Sequence, residues 1–355
     1  MQHIASNRVN GFSCTRDLAA PLCGLVLAGG EGRRLKSYIK RLRGDSLPKQ
    51  YVKFTGAHSM LEHTYRRAEI LIPRERLFTV VNQAHMKHQA VVDQLGGREP
   101  GTVIVQPENR DTGPGLLLPL MHIYKRYANA IVAVFPSDQF IWEEDHLMRH
   151  VRLAHAIVKR VPSKLVLLGI KPDYEESEYG YIVPDFDAAA NGWGICTVTD
   201  FVEKPDVIRA HRLTARGALW NTMMMVFKAS ELLQWVEELR PEMYHPFKHI
   251  YAAIDTALEK AMVREIYDGL ESVNFSKQLL EPMAQQHPDR LAVLPVSNVT
   301  WSDWGSESRI VKTLRRIGRV PPTLVDAPTN ANETARPGLR PLPWPDLILQ
   351  SRPGR

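Results

Sequence analysis

The chain has 355 residues, of which 44% are hydrophobic, and a formal net charge of +6. This length allows one large domain or two smaller ones, and the hydrophobic content is ample for a buried core. We expect no membrane partner, because no apolar run is long enough to span a bilayer, and no nucleic-acid partner, because the positive charge forms no low-complexity arm. The three cysteines have no metal-type spacing and indicate no disulfide framework, which predicts a cytoplasmic protein.

Composition divides the chain into three parts. Residues 1–21 are mixed and polar, without the apolar centre of a signal peptide, and predict a mobile N-terminal extension. Residues 22–319 carry the hydrophobic patterns of a folded body. Prolines crowd residues 320–355, which we therefore predict to be a disordered tail.

Hydrophobic runs alternate with helical patterns through the first half of this body. The predicted strands lie at residues 24–27, 51–54, 77–81, 102–105, 130–135 and 165–170, and the predicted helices at 61–72, 83–95, 116–127 and 147–158. Strands and helices at this spacing imply an α/β fold, a Rossmann-like and mostly parallel sheet flanked by helices. Ligands of such folds bind at the carboxyl ends of the strands.

The pattern changes from residue 178 onward. Shorter strands are predicted at 181–183, 195–202 and 223–227, and helices at 230–239 and 249–262. We interpret this stretch as a second half packed against the first, and not as a separate domain.

The first strand runs into a glycine-rich turn, LAGGEGRRL at residues 27–35. Glycine lets backbone N–H groups approach a ligand closely, so such a turn can cradle phosphate oxygens. Cations crowd around the turn and suit a polyphosphate ligand: Arg33, Arg34, Lys36, Lys40, Arg41, Arg43, Lys49 and Lys53. The turn is not a P-loop, which needs GxxxxGK[ST], and not a Rossmann fingerprint, because residue 35 is Leu. A tight turn without a ligand is the remaining alternative.

The turn and the Pro48-Lys49-Gln50 segment together resemble the signature of the sugar nucleotidyltransferases, LxGGxGxRL followed by Pro-Lys. Later segments resemble elements of the same family in the same order, closest to the mannose-1-phosphate guanylyltransferases: QPENRDTGPG (106–115), FPSDQ (135–139), EYGYI (178–182), FVEKP (201–205), WNTMMMVF (220–227) and VTWSDWG (299–305). The matches span residues 24–317 and so cover most of the chain.

This sequence departs from the family pattern at several positions. Asp111 replaces an Asn, Gly113 and Gly115 replace alanines, Gln139 replaces a common His, and Glu178 replaces a common Gly. The loop at 36–43 is altered and unusually basic.

The resemblance implies an enzyme that transfers GMP from GTP to a sugar 1-phosphate, mannose 1-phosphate, giving GDP-mannose and pyrophosphate. It implies that the catalytic residues are Arg34, Lys49, Asp138 and Lys204. It implies nucleotide or sugar binding by Leu27, Ala28, Gly29, Gly30, Gly32, Arg110, Thr112, Gly180, Glu203 and Asn221. Asp138 and Asp303 would ligate Mg²⁺, or Mn²⁺ in its place, and the second half of the body would hold the sugar.

Several of these residues also have ordinary structural explanations. An Asp after a strand, such as Asp138, is commonly a turn or cap residue. Glu203 and Lys204 alone would form a solvated charge pair. Asp303 could cap the helix that follows, and the cations between 309 and 319 fit a solvated helix face.

Two other functions stay open at this point. One is a nucleotidyltransferase for a different triphosphate and sugar phosphate. The other is a non-catalytic relative that binds a sugar nucleotide and regulates. A homodimer is compatible with either function.

Overall fold

The computed structural model describes residues 20–186 and 194–319. The predictions of a mobile extension and of a disordered tail therefore fall almost wholly outside the described residues. Among the helices of the described ranges, none combines the length and the apolar character needed to cross a bilayer.

Strands and helices alternate through the described chain. The strands are β1 (Leu22–Ala28), β2 (Leu77–Asn82), β3 (Val103–Gln106), β4 (Ile131–Pro136), β5 (Phe140–Ile141), β6 (Leu165–Ile170), β7 (Gly180–Asp185), β8 (Cys196–Glu203), β9 (Leu219–Lys228), β10 (Leu291–Val296) and β11 (Trp301–Ser302). The α-helices are α1 (Lys36–Arg43), α2 (Met60–Ala68), α3 (Gln89–Leu95), α4 (Thr112–Arg126), α5 (Glu144–Arg160), α6 (Val207–Ala215), α7 (Ala229–Leu239), α8 (Pro241–Ala253), α9 (Glu259–Gly269), α10 (Glu281–Gln286) and α11 (Glu307–Arg316).

Nine strands form one sheet in the order β3-β2-β1-β4-β9-β6-β10-β8-β7. The four strands β3, β2, β1 and β4 run parallel to one another. Strand β9 lies between β4 and β6 and runs antiparallel to both. The α/β class is confirmed, and the sheet is more mixed than the predicted, mostly parallel one. Its second half, β7 and β8 with β9, pairs antiparallel.

Both faces of the sheet are buried, because strands such as β4 and β6 are apolar at every position. One core cluster packs α2 and α5 against the sheet, and the other packs α4, α7 and α8 against the opposite face. This leaves the strand ends as the place where polar groups can gather.

Some local predictions were wrong. Residues 49–51 form a 3-10 turn in place of the predicted strand at 51–54, closed by a hydrogen bond from the Tyr51 N–H to the Pro48 carbonyl. The basic 36–43 loop is helix α1, which buries Tyr38 and Ile39. The helix predicted at 249–262 is two helices, α8 and α9. Strand β10 was not predicted, and Pro295 within it is a residue that central strands normally exclude.

Candidate active site

A cleft opens where the glycine turn after β1 faces the ends of β4, β7, β8 and β9. It encloses about 1140 Å³ including open solvent. Most of the residues named above line it: Leu27, Gly30, Arg34, Thr112, Asp138, Gly180, Glu203, Lys204, Asn221 and Asp303. The cleft lies at the sheet edge where an α/β fold is expected to bind ligands.

The segment that follows Pro48 stabilises the glycine turn through hydrogen bonds to its backbone. The Gln50 side-chain amide donates to the carbonyls of Ala28 and Gly30, at 2.8 Å each. Gly32 has φ of 59°, and a Cβ there would lie 3.2 Å from Cγ of Lys49. The left-handed backbone and the close approach of Lys49 both favour glycine at this position.

Lys49 is a buried cation that joins two segments of the cleft. Its side chain is 7% exposed, and Nζ lies 3.0 Å from Oδ2 of Asp138. Nζ also donates to the Asp303 carbonyl oxygen at 2.7 Å. The ammonium is therefore fixed between the two aspartates named by the sequence.

A two-stranded ribbon brings these aspartates together. Strands β5 and β11 pair antiparallel, with Ser302 opposite Phe140. The Trp301 indole N–H donates to Oε1 of Gln139 at 2.9 Å, and the Trp304 ring stacks on Phe140 at 4.6 Å between centroids. Asp138 and Asp303, which flank this ribbon, consequently face the same cleft.

The Asp303 carboxylate is largely neutralised within the protein. Arg309 Nη1 donates to Oδ1 at 3.0 Å and to Oδ2 at 2.9 Å, and the Tyr179 hydroxyl donates to Oδ1 at 2.8 Å. The Gly305 N–H adds a third donor at 3.0 Å. Burial alone would raise the pKa of Asp303, but Lys49, Arg309 and these hydrogen bonds hold the pKa below its ordinary value.

The two aspartates differ in what they offer a divalent cation. The Asp138 side chain is 41% exposed and pairs with Lys49 through Oδ2. Both oxygens of Asp303 already accept from Arg309. No cluster of three or more potential metal ligands occurs within 20–186 and 194–319. Asp138 thus fits Mg²⁺, which commonly takes one or two carboxylates plus phosphates and waters, while Asp303 would need Arg309 to withdraw.

A neighbouring cavity lies between the glycine turn and the start of α4. Gly29, Gln106 and Thr112 line it. A Cβ on Gly29 would lie 2.5 Å from Nε2 of Gln106, so this wall is tightly fitted. Asp111 is the N-cap of α4, and Arg110 pairs with Glu108 without lining the cleft.

The opposite wall of the cleft comes from the second half of the sheet. Gly180 pairs with Glu203 across β7 and β8, and a Cβ on Gly180 would lie 2.8 Å from Oε2 of Glu203. Glu203 is 13% exposed and Lys204 58% exposed, with 3.5 Å between their charged atoms. Burial raises the pKa of Glu203, against the opposing charge of Lys204. The pair is therefore not the fully solvated one that an isolated dipeptide suggests. The side chain of Asn221 approaches Oγ of Ser276 at 3.5 Å.

Three residues of the site were missed by the sequence reasoning. Tyr179 and Glu176 contact Asp303 and Arg309, respectively. Arg309 is 8% exposed, and the prediction that it lies on a solvated helix face is wrong. The sequence does contain a pattern that predicts the burial of Arg309, because Arg309 shares one face of α11 with Ile310, Thr313 and Leu314 at helical spacing.

Comparison with known proteins gives one family. A family model described as nucleotidyl transferase matches residues 23–318. Xanthan biosynthesis protein XanB of Xanthomonas campestris pv. campestris is 29% identical over 306 residues, which are 83% of this chain and 60% of the relative. Mannose-1-phosphate guanylyltransferase of Salmonella muenchen is 29% identical over 295 residues, with coverage of 81% and 59%.

The chain thus spans about three fifths of the length of these relatives. A solved structure named mannose-1-phosphate geranyltransferase, from Thermus thermophilus, superposes with a TM-score of 0.68 at 23% identity. It covers 82% of this chain and 78% of its own. This structural likeness supports the fold.

Proposed function

The chain belongs to the nucleotidyl transferase family, and on that premise we propose that it transfers GMP from GTP to mannose 1-phosphate, giving GDP-mannose and pyrophosphate. The similarity to mannose-1-phosphate guanylyltransferases supports the choice of substrates. The observation that carries the proposal is the convergence of the glycine turn and Asp138, which pairs with the buried Lys49, in one cleft opposite Gly180 and Glu203. A triphosphate and a sugar phosphate can meet between those two walls.

The chemistry is an in-line attack of the sugar phosphate oxygen on the α-phosphorus, with pyrophosphate leaving. Two unit charges about 4 Å apart repel by ~4 kcal/mol at an effective dielectric of 20, and several such terms add when two polyanions meet. Catalysis then depends mostly on positioning and on positive charge. No general base is needed, because the attacking phosphate is already ionised.

The cations at the cleft can supply this positioning and positive charge. The amides of the glycine turn would hold the β- and γ-phosphates, and Arg34 beside them would bind a substrate phosphate. Lys49, fixed by Asp138 and by the Asp303 carbonyl, would sit between the two phosphate groups. Lys204 is exposed at the other wall, where it would attract the sugar phosphate.

Mg²⁺ is the cation that we propose for the reaction, with Mn²⁺ as its substitute. It would supply charge neutralisation of the phosphate oxygens. Asp138 is the residue placed to hold it, since its carboxylate is exposed in the cleft. Asp303 is less suited to this purpose, because both of its oxygens accept from Arg309.

A substrate panel tests the proposal. Pyrophosphate release would be followed with GTP, ATP, UTP, CTP and dTTP, each combined with mannose 1-phosphate and with glucose 1-phosphate. We expect GTP with mannose 1-phosphate to exceed every other pair at least tenfold in kcat/KM, a difference of ~1.4 kcal/mol. A preference for dTTP or UTP at that level would assign a different nucleotide. Nucleotide binding without turnover of any pair would indicate a non-catalytic sugar-nucleotide binder.

A further inference from the structure

Two guanidinium groups converge on a single carboxylate oxygen in the cleft. Nη1 of Arg34 forms an ion pair with Oε2 of Glu178, and Nη2 of Arg309 lies 2.5 Å from the same oxygen. The arginines come from distant parts of the chain, the turn after β1 and helix α11. The fold therefore provides a site for a negatively charged oxygen at this point.

The backbone at Gly305 shows how closely the two arginines approach each other. A Cβ there would lie 2.7 Å from Nη1 of Arg309 and 2.7 Å from Nη2 of Arg34. The absence of a side chain at 305 lets both guanidinium groups reach the same point. Any larger residue would force at least one of them away.

One of the two arginines is rigid. Arg309 has a side chain that is only 9% exposed, held by both oxygens of Asp303 and by Oε2 of Glu176 at 2.6 Å. Its guanidinium also lies over the Tyr179 ring, 4.8 Å from the centroid. Arg309 would thus keep its place if Glu178 left.

The other members of the group are half exposed. The side chains of Arg34 and Glu178 are 52% and 43% exposed, and Nη2 of Arg34 also lies 3.7 Å from Oδ2 of Asp303. The exposed pair of Arg34 with Glu178 contributes little to stability, and Arg309 keeps Asp303 and Glu176 as partners when Glu178 turns into solvent, so this movement has a small cost. The carboxylate therefore blocks the position only loosely.

We propose that Arg34 and Arg309 form a phosphate-binding subsite, that Glu178 fills it with its own carboxylate while the cleft is empty, and that a substrate phosphate oxygen takes the carboxylate's place. This inference rests on the proposed function for its ligand class. Arginine forks bind phosphate and carboxylate oxygens through the same charge-assisted geometry. The phosphate belongs either to the triphosphate, whose leaving half is pyrophosphate, or to the sugar 1-phosphate.

Glu178 would then compete with the ligand. A subsite that is covered nine-tenths of the time lowers the apparent affinity about tenfold, because only the uncovered fraction binds. Removing the competing carboxylate should restore that factor. The gain should depend on Arg309, because the phosphate would bind the guanidinium that Glu178 releases.

The test is calorimetric titration of the full chain and its Glu178→Gln variant. The probes are inorganic pyrophosphate and mannose 1-phosphate, each titrated separately without added metal. We expect the dissociation constant of one probe to fall about tenfold in the variant, equivalent to ~1.4 kcal/mol, while that of the other changes less than threefold. The probe that gains identifies which substrate phosphate occupies the subsite.

Glu175→Gln is the matched control. Glu175 lies three residues before Glu178, its side chain is 46% exposed, and it pairs with His211. The variant removes the same charge from the same segment and should change both dissociation constants less than threefold. Equal gains in the two variants would overturn the subsite and leave only a general field effect.

A double variant completes the experiment. In the Glu178→Gln/Arg309→Gln protein the tenfold gain should disappear, with thermal melts confirming that the chain is folded. Unchanged or weaker binding of both probes in Glu178→Gln would by itself overturn the inference. Pyrophosphate is released by any nucleotidyl transfer from a triphosphate, so its binding reports the subsite even if the substrate panel assigns another base or sugar.

Discussion

Replacing Asp303 by Asn should lower the stability of the protein as well as its activity. The carboxylate accepts two hydrogen bonds from Arg309, one from Tyr179 and one from the Gly305 N–H. An asparagine amide nitrogen would place a donor against a guanidinium donor. Within residues 20–186 and 194–319, it would also leave Arg309 with only Glu176 and Glu178 as charged partners.

The magnitude follows from the loss of charge-assisted hydrogen bonds. Each such bond contributes about 1.5–3 kcal/mol, and the asparagine oxygen retains part of the network, so we expect a net loss of about 2.5 kcal/mol. For a folded body of this size a loss of 1 kcal/mol lowers Tm by roughly 2 °C, which gives a decrease of about 5 °C. Thermal melting followed by circular dichroism measures it directly.

The difference in stability between the parent and Asp303→Asn should depend on pH in a definite direction. The folded pKa of Asp303 lies below its ordinary value, so its stabilisation is present above the unfolded pKa of about 3.9. It is lost as the pH falls through the folded pKa. Parent and Asp303→Asn should therefore differ by a constant amount from pH 5 to 8, and the difference should shrink in more acidic buffer.

A surface ion pair provides the control for the melt. Glu307 pairs with Arg41, and both side chains are about half exposed, at 50% and 47%. Glu307→Gln should change Tm by less than about 2 °C, because exposed pairs contribute at most about 1 kcal/mol. If Asp303→Asn melts with the parent at neutral pH, the Asp303–Arg309 pair does not anchor this side of the cleft.

Three further predictions concern the reaction. Asp138→Asn should lower kcat about 10²–10³-fold in steady-state assays, the usual loss for one electrostatic contributor, and thermal melts check that the variant is folded. Near-parent turnover would return Asp138 to a structural role. Gly180→Ala should raise KM for mannose 1-phosphate about tenfold with little change in KM for GTP, since the new Cβ displaces Glu203. Equal effects on both KM values would contradict the assignment of this wall to the sugar. EDTA should abolish turnover and added Mg²⁺ or Mn²⁺ should restore it; activity that survives EDTA would remove the metal from the account.

Local sequence patterns predicted the glycine turn well. An apolar run followed by glycines specifies a strand and a turn without reference to distant residues, and β1 ends at Ala28 as this pattern requires. The α/β class followed in the same way from alternating strands and helices. These features depend on nearest neighbours along the chain.

Contacts between distant segments could not be predicted in this way. Asp138 and Asp303 lie at the same cleft because the strands β5 and β11, of two residues each, pair with one another. Strands this short have no hydrophobic periodicity from which the pairing could be predicted. Lys49, in the 3-10 turn at residues 49–51, likewise donates to the distant Asp303 carbonyl. Local sequence patterns contain no information about either contact.

Arg309 shows how charge can mislead a reading of periodicity. Its position on the buried face of α11 was visible in the spacing of its apolar neighbours, yet a basic residue is normally assigned to solvent. The carboxylates that compensate its burial, from Asp303, Glu176 and Glu178, lie in other segments. Only the fold shows that they surround it.

The central claim is nucleotidyl transfer from GTP to mannose 1-phosphate in the cleft between the glycine turn and the Gly180–Glu203 wall. The most direct measurement is ³¹P NMR of the full chain with GTP, mannose 1-phosphate and Mg²⁺. We predict that the α-phosphate and sugar phosphate signals are replaced by a diphosphate-bridged sugar nucleotide and an equal amount of pyrophosphate, and that the Asp138→Asn variant slows this conversion at least a hundredfold. A folded chain that binds GTP but leaves every phosphate signal unchanged would contradict the claim.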